Sequence, residues 1–164
     1  DIILALGNRQ ATAAEKNKWL VQKNEEYLSY LVTMDEKELL PGVPRVLEFI
    51  KEHHQFITLG SASKNARPIL EKTKILHYFD AIVDGNDVSN AKPDPEVFMR
   101  AAQLVGVSNT NAIVFEDSVA GIQAANTAQM ISIGIGDPTV LHEAQHNFKD
   151  FNSIEESFLE KLLN

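Results

Sequence analysis

Three polar segments of this 164-residue sequence stand directly after short apolar runs. The stretch "FEDSVAGIQAA" places Glu116 and Asp117 side by side, "LGSASKN" supplies hydroxyls at Ser61 and Ser63, and "SNAKPDPEVF" holds Lys92 before two prolines. Carboxylates bind Mg²⁺, hydroxyls and free helix amides hold phosphate, and an ammonium group neutralises phosphate charge. Together these are the parts of a Mg²⁺-assisted phosphoryl-transfer site.

Each segment taken alone has a plainer structural interpretation. Ser61 and Ser63 could cap the next helix, and Lys92 could be an ordinary exposed loop lysine. Glu116 and Asp117 could be solvated acids at a helix N-terminus. Independent caps, however, give no reason for hydroxyls, an ammonium and paired carboxylates to follow successive strands. We therefore favour one common site beyond the carboxyl ends of parallel strands, where ligands of open α/β sheets bind.

Apolar runs and helical patterns alternate through most of the chain. Short β-branched runs predict strands, and spaced apolar residues predict helices between them. The predicted strands cover residues 56–60, 81–85, 112–116 and 130–136, with a weaker fifth at 147–150. The predicted helices cover residues 43–52, 65–73, 95–105, 118–128 and 153–163. This alternation predicts an α/β fold, a Rossmann-like parallel sheet with helices on both faces.

The first part of the chain has a different pattern. Residues 12–32 are purely helical in pattern, and the acidic stretch "TMDEKELLPG" that follows ends in Pro and Gly, as linkers do. We therefore predict two units, a small helical one at residues 1–34 and an α/β core at residues 35–164.

Composition limits the classes of partner. A formal net charge of −8 argues against nucleic acid and anionic membranes, because both require a dense basic surface. No apolar run reaches the length of a membrane span. The chain contains no Cys, which excludes disulfides and thiolate chemistry and suits a cytoplasmic location. We expect a cytoplasmic protein whose ligand is a small molecule.

The three polar segments resemble motifs of the haloacid dehalogenase (HAD) superfamily. "GSASKN", "AKPDPEVF" and "FEDSVAGIQAA" are similar to its second, third and fourth motifs, and their wording is closest to its β-phosphoglucomutase members. The resemblance implies that Ser61 binds the transferring phosphoryl group and that Lys92 neutralises its charge. It also implies that Asp117 ligates Mg²⁺ with Glu116 beside it. The candidate substrate contacts around the first motif are Ser61, Ala62, Ser63, Lys64 and Asn65.

The resemblance extends to the helical unit. "VQKNEEYL" is similar to a cap segment that contacts the distal phosphate of the substrate, and Lys23 and Asn24 match those cap positions. Without the family, a solvated helix face explains the same residues. The resemblance implies a sugar phosphate as the small-molecule substrate, and we expect a monomer.

One family motif has no counterpart in this sequence. The first motif of the superfamily, Asp-x-Asp-Gly-Thr or Val, carries the aspartyl nucleophile and the general acid/base, and no Asp-x-Asp pair occurs here. We expect a longer chain upstream of Asp1 whose first strand bears this motif. In the family that strand lies in mid-sheet, between the strands ending at Gly60 and Glu116. A naturally inactive truncated form is the alternative.

Three functions are therefore open. The first is β-phosphoglucomutase activity through an aspartyl-phosphate, converting β-glucose 1-phosphate to glucose 6-phosphate. The second is a phosphatase acting on sugar phosphates or related phosphomonoesters. The third is a non-catalytic binding or interaction protein. The first two share the core residues and differ in the cap.

Overall fold

The computed structural model describes residues 12–163, which form an α/β fold. Within that range the helices are α1 (Ala13–Thr33), α2 (Val43–Glu52), α3 (Ala66–Lys72), α4 (Glu96–Leu104), α5 (Val119–Thr127) and α6 (Glu156–Leu163). The strands are β1 (Thr58–Gly60), β2 (Ala81–Val83), β3 (Ile113–Glu116), β4 (Ile131–Ile135) and β5 (His146–Phe148). Single 3₁₀ turns cover Glu36–Glu38, Leu76–Tyr78, Asn109–Asn111 and Phe151–Ser153.

Local sequence explains where these helices begin. Thr12 caps α1 by accepting a hydrogen bond from the Glu15 backbone, while the Glu15 carboxylate accepts one from the Thr12 backbone. Pro44 lies in the first turn of α2, where a missing N–H costs nothing. These helices match the predicted ones within one or two residues, except that α6 begins three residues later than predicted because a 3₁₀ turn precedes it.

All strand pairs are parallel, as predicted. β1 pairs with β2, and β4 lies between β3 and β5. The weakly predicted fifth strand is confirmed as β5, which begins one residue and ends two residues earlier than expected. The strands are shorter than the predicted runs because the flanking residues turn out of the sheets into loops.

Helices cover both faces of the strands. α4 and α5 pack on one face, where Val83 and Val114 join a cluster with Phe98 and Ala124. Helices α2 and α6 cover β4 on the opposite face, and α2 and α3 cover β1 and β2 there. Strands buried on both faces are apolar on both sides, which is why the strand sequences read as nearly continuous apolar runs.

A gap separates the two sheets. Within residues 12–163 no strand pairs with the edge of β1 opposite β2 or with the edge of β3 opposite β4. A cavity of about 740 Å³ lies between them, and we call it the inter-sheet slot. The slot lies where the resemblance predicts a further strand, and that strand stays a prediction.

Helix α1 has little contact with the core. Among its residues whose burial is described, only Leu31, near its C-terminal end, is buried. Lys72 at the end of α3 donates to the Val32 carbonyl at 3.5 Å, and Lys74 pairs with Glu36 at 3.1 Å. The boundary predicted at residue 34 falls just after α1, and the two-unit division stays a prediction. None of the helices between residues 12 and 163 combines the length and hydropathy that a membrane span requires.

Asp80 ties the amino-terminal ends of β1 and β2 to α2. Its carboxylate accepts hydrogen bonds from the Ile57 backbone at 2.8 Å and from Lys51 Nζ at 2.7 Å. The Asp80 N–H donates back to the Ile57 carbonyl at 2.8 Å. The Lys51 hydrogen bond and then the backbone N–H of Ile57 hold the pKa of Asp80 below its ordinary value of 3.8.

We expect Asp80→Asn to lower the free energy of unfolding at pH 7 by about 1 kcal/mol, the contribution of a partly exposed charged hydrogen bond. A carboxyl whose pKa is lowered by folding stabilises the fold above its unfolded pKa, and that contribution is lost as pH falls through the folded pKa. The difference between wild type and Asp80→Asn should therefore shrink below pH 3.8. Urea unfolding at several pH values measures it. The control is Glu52→Gln, which changes an exposed acid at the end of α2, the helix that carries Lys51, and it should show no comparable loss of stability.

Candidate active site

Lys92 joins the carboxyl ends of β1 and β3. Its Nζ donates to the Gly60 carbonyl at 3.1 Å and to Glu116 Oε2 at 2.7 Å. The side chains of Lys92 and Glu116 are only 14% and 9% exposed, so this ion pair is largely shielded from water. The ammonium also lies 4.4 Å from the centre of the Phe98 ring, within cation–π range.

The loop before α4 holds Lys92 in place. Pro93 follows Lys92 through a cis peptide bond, and Asp94 accepts a hydrogen bond from the Glu96 backbone at 2.9 Å. Glu96 in turn accepts from the backbone N–H groups of Ser89 and Asn90. These hydrogen bonds close the loop from residue 89 to residue 96 and restrain the position of Lys92 within it.

Glu116 folds back onto the start of α5. Its Oε1 accepts from the Ser118 backbone at 3.1 Å and from the Ser118 hydroxyl at 2.7 Å. The same hydroxyl accepts from the Gly121 N–H at 3.0 Å, which makes Ser118 the N-cap of α5. A Cβ atom at Gly121 would lie 2.0 Å from Glu116 Cδ. Glycine at position 121 thus leaves room for the Glu116 carboxylate to approach α5.

Glu116 and Asp117 have opposite electrostatic environments. Burial would raise the pKa of Glu116, but the hydrogen bond and charge of Lys92, together with Ser118, keep that pKa below its ordinary value. Asp117 is exposed, and partial loss of water around its carboxyl and the negative charge of Glu116 raise its pKa. Two adjacent acids therefore differ in character, because one is neutralised and the other is left facing a like charge.

The loop after β1 carries the predicted hydroxyls. The Ser61 N–H donates to the Val83 carbonyl at 2.9 Å, which extends the β1–β2 pairing by one residue. Ser61 Oγ accepts from the Ser63 N–H, and Ser63 Oγ accepts from the Asn65 N–H. These serine turns lead into α3, whose N-cap Asn65 makes no side-chain capping bond. Ser63 therefore accepts a hydrogen bond from a backbone N–H near the start of α3, as a helix-capping serine does. Its hydroxyl hydrogen is still able to donate.

Comparison with known proteins identifies the family to which the chain belongs. The family model for haloacid dehalogenase-like hydrolases matches residues 3–135 of the chain. The chain belongs to the haloacid dehalogenase-like hydrolases. The resemblance of the three motifs and the α/β fold are both confirmed.

Two curated relatives and one solved structure illustrate the similarity. The chain is 37% identical over 136 residues to a β-phosphoglucomutase of Bacillus subtilis, covering 82% of this chain and 60% of that protein. It is 37% identical over 114 residues to a fructose-1-phosphate phosphatase of Escherichia coli, covering 70% and 60%. The crystal structure of a Clostridium difficile β-phosphoglucomutase superposes with a TM-score of 0.89 at 34% identity, covering 99% of this chain and 74% of that chain. The match thus spans 60% of the length of each of these two curated relatives.

The structure brings some predicted site residues of this HAD-like chain together and leaves others apart. Lys92 and Glu116 are in contact, Ser61 directly follows the Gly60 carbonyl that Lys92 binds, and Asp117 directly follows Glu116. Ala62 and Lys64 are exposed on the loop after β1, and Asn65 is half-buried. Lys23 is exposed on α1, and within residues 12–163 no hydrogen bond or ion pair joins it to the other predicted site residues. The Asn24 side chain lies outside the described part.

The carboxylates fit a magnesium site of the kind that relies on few protein ligands. In the part of the chain that the structure describes, no group of three or more His, Cys, Asp and Glu side chains could hold a metal by itself. Mg²⁺ commonly binds one or two carboxylates and completes its shell with water and substrate phosphate. Asp117 is exposed and repelled by Glu116, so a cation there would relieve the repulsion. Both carboxylate oxygens of Glu116 already accept hydrogen bonds, which suits a residue that supports the metal ligand Asp117.

Two contributors to this site are not apparent from the motifs. The Gly60 carbonyl accepts from Lys92, and Phe98 on α4 lies against the same ammonium. A Cβ atom at Gly60 would lie 2.8 Å from the Phe98 ring, so glycine allows α4 to approach β1 closely. The sequence signals are a strand that ends in Gly and an aromatic residue six positions after Lys92, but neither shows by itself that the two meet.

We expect substitutions at the two adjacent acids to change stability in opposite directions in the absence of divalent metal. Glu116→Gln removes the charge that pairs with Lys92, and should lower the free energy of unfolding by about 1.5–3 kcal/mol. Asp117→Asn should raise stability at pH 7, because folding raises the pKa of Asp117 and the ionised carboxylate therefore opposes the fold above that pKa. Urea unfolding in EDTA measures both. Equal losses in the two variants would contradict the assigned environments.

Proposed function

We propose that this chain carries the metal-binding and phosphate-binding part of an enzyme that transfers a phosphoryl group on a sugar phosphate. The observation that carries the proposal is the position of Lys92, which is held at the carboxyl ends of β1 and β3 between the Gly60 carbonyl and Glu116. The Ser61 loop and the exposed Asp117 begin at the same two strand ends. Cation, hydroxyl and carboxylate thus converge where a phosphoryl group would react.

The proposed role of Lys92 is to donate a hydrogen bond to a phosphoryl oxygen. An ammonium group has three N–H donors, and the described contacts of Lys92 use two of them. The third donor is available to a phosphoryl oxygen without loss of the protein contacts. Because Lys92 is largely buried, a charge-assisted hydrogen bond from it is stronger than one made in water.

Ser61 and Asp117 have complementary proposed roles. The Ser61 hydroxyl accepts from the Ser63 N–H, so its own hydrogen is directed elsewhere and can donate to a second phosphoryl oxygen. Asp117, supported by Glu116, would hold Mg²⁺, which when bound supplies positive charge that offsets the charge developing on the phosphoryl oxygens. We assign the attacking aspartate and the general acid/base to the motif that residues 1–164 do not contain.

A mutase is the first choice among the activities that share this chemistry. The curated β-phosphoglucomutase of Bacillus subtilis and the Clostridium difficile structure are both similar to this chain over most of its length. In such a reaction the phosphorylated aspartate would donate to the sugar, and the resulting bisphosphate would turn around and return its other phosphate. The proposal therefore includes β-glucose 1-phosphate as substrate and glucose 6-phosphate as product, in a monomeric cytoplasmic enzyme.

A sugar-phosphate phosphatase is the second candidate. The fructose-1-phosphate phosphatase of Escherichia coli has the same 37% identity to this chain, over a shorter stretch. The same core residues serve both reactions, with water replacing the sugar hydroxyl as acceptor. A non-catalytic binding protein is the third candidate, and it predicts Mg²⁺-dependent phosphate binding without turnover.

Product analysis on the intact gene product separates these candidates. Incubation with β-glucose 1-phosphate and Mg²⁺ should give glucose 6-phosphate if the protein is a mutase, and glucose with inorganic phosphate if it is a phosphatase. Absence of both products while phosphate still binds would support the third candidate. Absence of both turnover and phosphate binding would refute the proposed function.

Mg²⁺ affinity should depend on Asp117. We expect Asp117→Asn to weaken Mg²⁺ binding by more than about tenfold, since each protein carboxylate matters where few are used. Asp137→Asn, an exposed acid just beyond the end of β4, is the matched control and should leave affinity unchanged. Titration calorimetry measures both, with and without inorganic phosphate. Equal affinities in the two variants would remove Asp117 from the metal site.

Lys23 should contribute to substrate affinity without affecting the metal. If α1 belongs to the cap, Lys23→Ala should weaken handling of the sugar phosphate or bisphosphate by about 1.5–3 kcal/mol, the size of a charge-assisted phosphate contact. Lys18→Ala, an exposed lysine of the same helix, is the control. Steady-state rates at low and saturating substrate measure the effect. A Lys23 variant that behaves like the Lys18 variant would show that Lys23 lies on a solvated face.

A further inference from the structure

We propose that Asp84 is a positioning residue that holds the β1 loop (residues 61–65) in the shape that binds phosphate. It acts through the β2 turn (residues 84–87), which directly follows β2. The phosphate-binding role of the β1 loop rests on the proposed function, whereas the way in which Asp84 holds that loop does not.

Asp84 is a buried charge at the edge of the candidate site. Gly60 pairs with Val83 in the sheet, so Asp84 follows β2 just as Ser61 follows β1. Asp84 is only 4% exposed, and no other charged residue in the described part of the chain is as deeply buried. A carboxylate that has lost its water is costly unless hydrogen bonds and positive charge replace that water.

The partners of Asp84 lie in its own turn and on α3. Its Oδ1 accepts hydrogen bonds from the Asn86 N–H at 2.8 Å and from the Asn86 side-chain amide at 3.0 Å. Its Oδ2 lies 3.8 Å from Arg67 Nε, and the Arg67 guanidinium also donates to the Ile82 carbonyl at 3.1 Å. The Asp84 N–H donates to the Asp87 carboxylate at 2.9 Å. Asp84 therefore fixes both the backbone of the β2 turn and the direction of the Asn86 side chain.

The β2 turn contacts three successive carbonyl groups of the β1 loop. The Gly85 N–H donates to the Ser63 carbonyl at 3.3 Å, and the Asn86 side-chain amide donates to the Lys64 carbonyl at 3.3 Å. A Cβ atom at Gly85 would lie 2.4 Å from the Ala62 carbonyl oxygen, so backbone packs directly on backbone there. The shape of the β1 loop is thus set from the side of its carbonyl groups.

A loop held by its carbonyl groups presents its N–H groups elsewhere. A peptide group is planar and trans, so the C=O of one residue and the N–H of the next point in opposite directions. The Ser63 carbonyl is bonded to the β2 turn, which leaves the Lys64 N–H facing away from that turn. Within residues 12–163 neither the Ala62 N–H nor the Lys64 N–H has an acceptor, and both residues are exposed. Both N–H groups are therefore available to an anion.

The β2 turn is also tied to the helix that follows Lys92. Arg100 of α4 donates to the Asp87 carbonyl, and Val88 packs against the apolar cluster that α4 joins. One turn is thereby in contact with the β1 loop on one side and with α4 on the other. We expect the turn to set the spacing between the Ser61 hydroxyl and the Lys92 ammonium, which the proposed function brings together.

The experiment measures phosphate affinity in variants of the intact gene product. Asp84→Ala removes the acceptor that orders the β2 turn, and inorganic phosphate should bind about tenfold more weakly because the β1 loop loses its shape. Asp84→Asn keeps an oxygen that can accept from Asn86, so its affinity should stay within about threefold of wild type. Titration calorimetry with inorganic phosphate and Mg²⁺ measures both affinities.

Asp80→Ala is the matched control. It removes a structural carboxylate from the opposite end of β2, where Asp80 binds Ile57 and Lys51. The variant should lose stability, but its phosphate affinity should stay within about twofold of wild type because the two ends of β2 act independently. The control therefore separates the positioning of the β1 loop from a general loss of stability.

A second variant serves if Asp84→Ala does not fold. Asn86→Ala removes the side-chain bond to the Lys64 carbonyl, and phosphate affinity should fall about threefold. Mg²⁺ affinity without phosphate should stay within about twofold of wild type in both variants, because Asp117 lies at a different strand end. A merely structural role would not weaken phosphate binding and leave Mg²⁺ binding intact.

Amide hydrogen exchange tests the hold on the β1 loop without any ligand. In Asp84→Ala the amides of Ser63, Asn65 and Gly85 should exchange at least about tenfold faster, because their hydrogen bonds open more often. Amides of β4 should change little. Asn86→Ala should show the same pattern with a smaller increase.

Three outcomes would overturn the inference. The first is unchanged exchange of these amides in both variants, and the second is unchanged phosphate affinity in both variants of a protein that binds phosphate. The third is an equal loss of phosphate affinity in Asp80→Ala, since stability alone would then explain the effect. A wild-type protein that binds no phosphate would instead refute the proposed function, and amide exchange would then decide whether Asp84 holds the loop.

Discussion

The ion pair between Lys92 and Glu116 is the interaction on which the rest of this structure depends. The two sheets are not hydrogen-bonded to each other within residues 12–163, and the Lys92 ammonium connects their carboxyl ends through Gly60 and Glu116. A shielded pair of this kind is costly to form, because both charges lose water, and it persists only when further hydrogen bonds satisfy both partners. Ser118 supplies those bonds to Glu116, and the Phe98 ring lies beside the ammonium.

The same pair explains why two adjacent acids can serve different purposes. Side chains of neighbouring residues on a strand point in opposite directions, so Glu116 and Asp117 would separate if β3 continued. β3 ends at Glu116, and α5 starts immediately after Ser118, with Gly121 leaving space for the Glu116 carboxylate. Glu116 therefore uses its carboxylate in contacts within the protein, and Asp117 remains at the surface with a raised pKa. One acid maintains the architecture, and the other is available to a cation.

The sequence predicted the elements of this fold better than their long-range partners. Apolar runs and helical spacing located the strands and helices because burial on one or both faces imposes those periods locally. The order of Ser61, Lys92 and Asp117 after successive strands indicated a common edge because parallel strands end together. The Gly60 carbonyl and Phe98 were missed, since no local pattern encodes which backbone oxygen or ring an ammonium will meet. Among residues 12–163 β1 and β3 do not pair with each other, and only the family resemblance pointed to that position.

The slot and the candidate site share one end, and this has a consequence for both. Any strand that filled the slot would end between Gly60 and Glu116, beside the Lys92 ammonium. It would also exclude water from the side of the Lys92–Glu116 ion pair that faces the slot. Charges interact more strongly as the surrounding dielectric constant falls. Filling the slot would therefore stabilise the junction of the two sheets and strengthen the field that Lys92 presents to a phosphoryl group. Filling the slot would then join the two sheets and strengthen the field at the phosphoryl site at the same time, because Lys92 takes part in both.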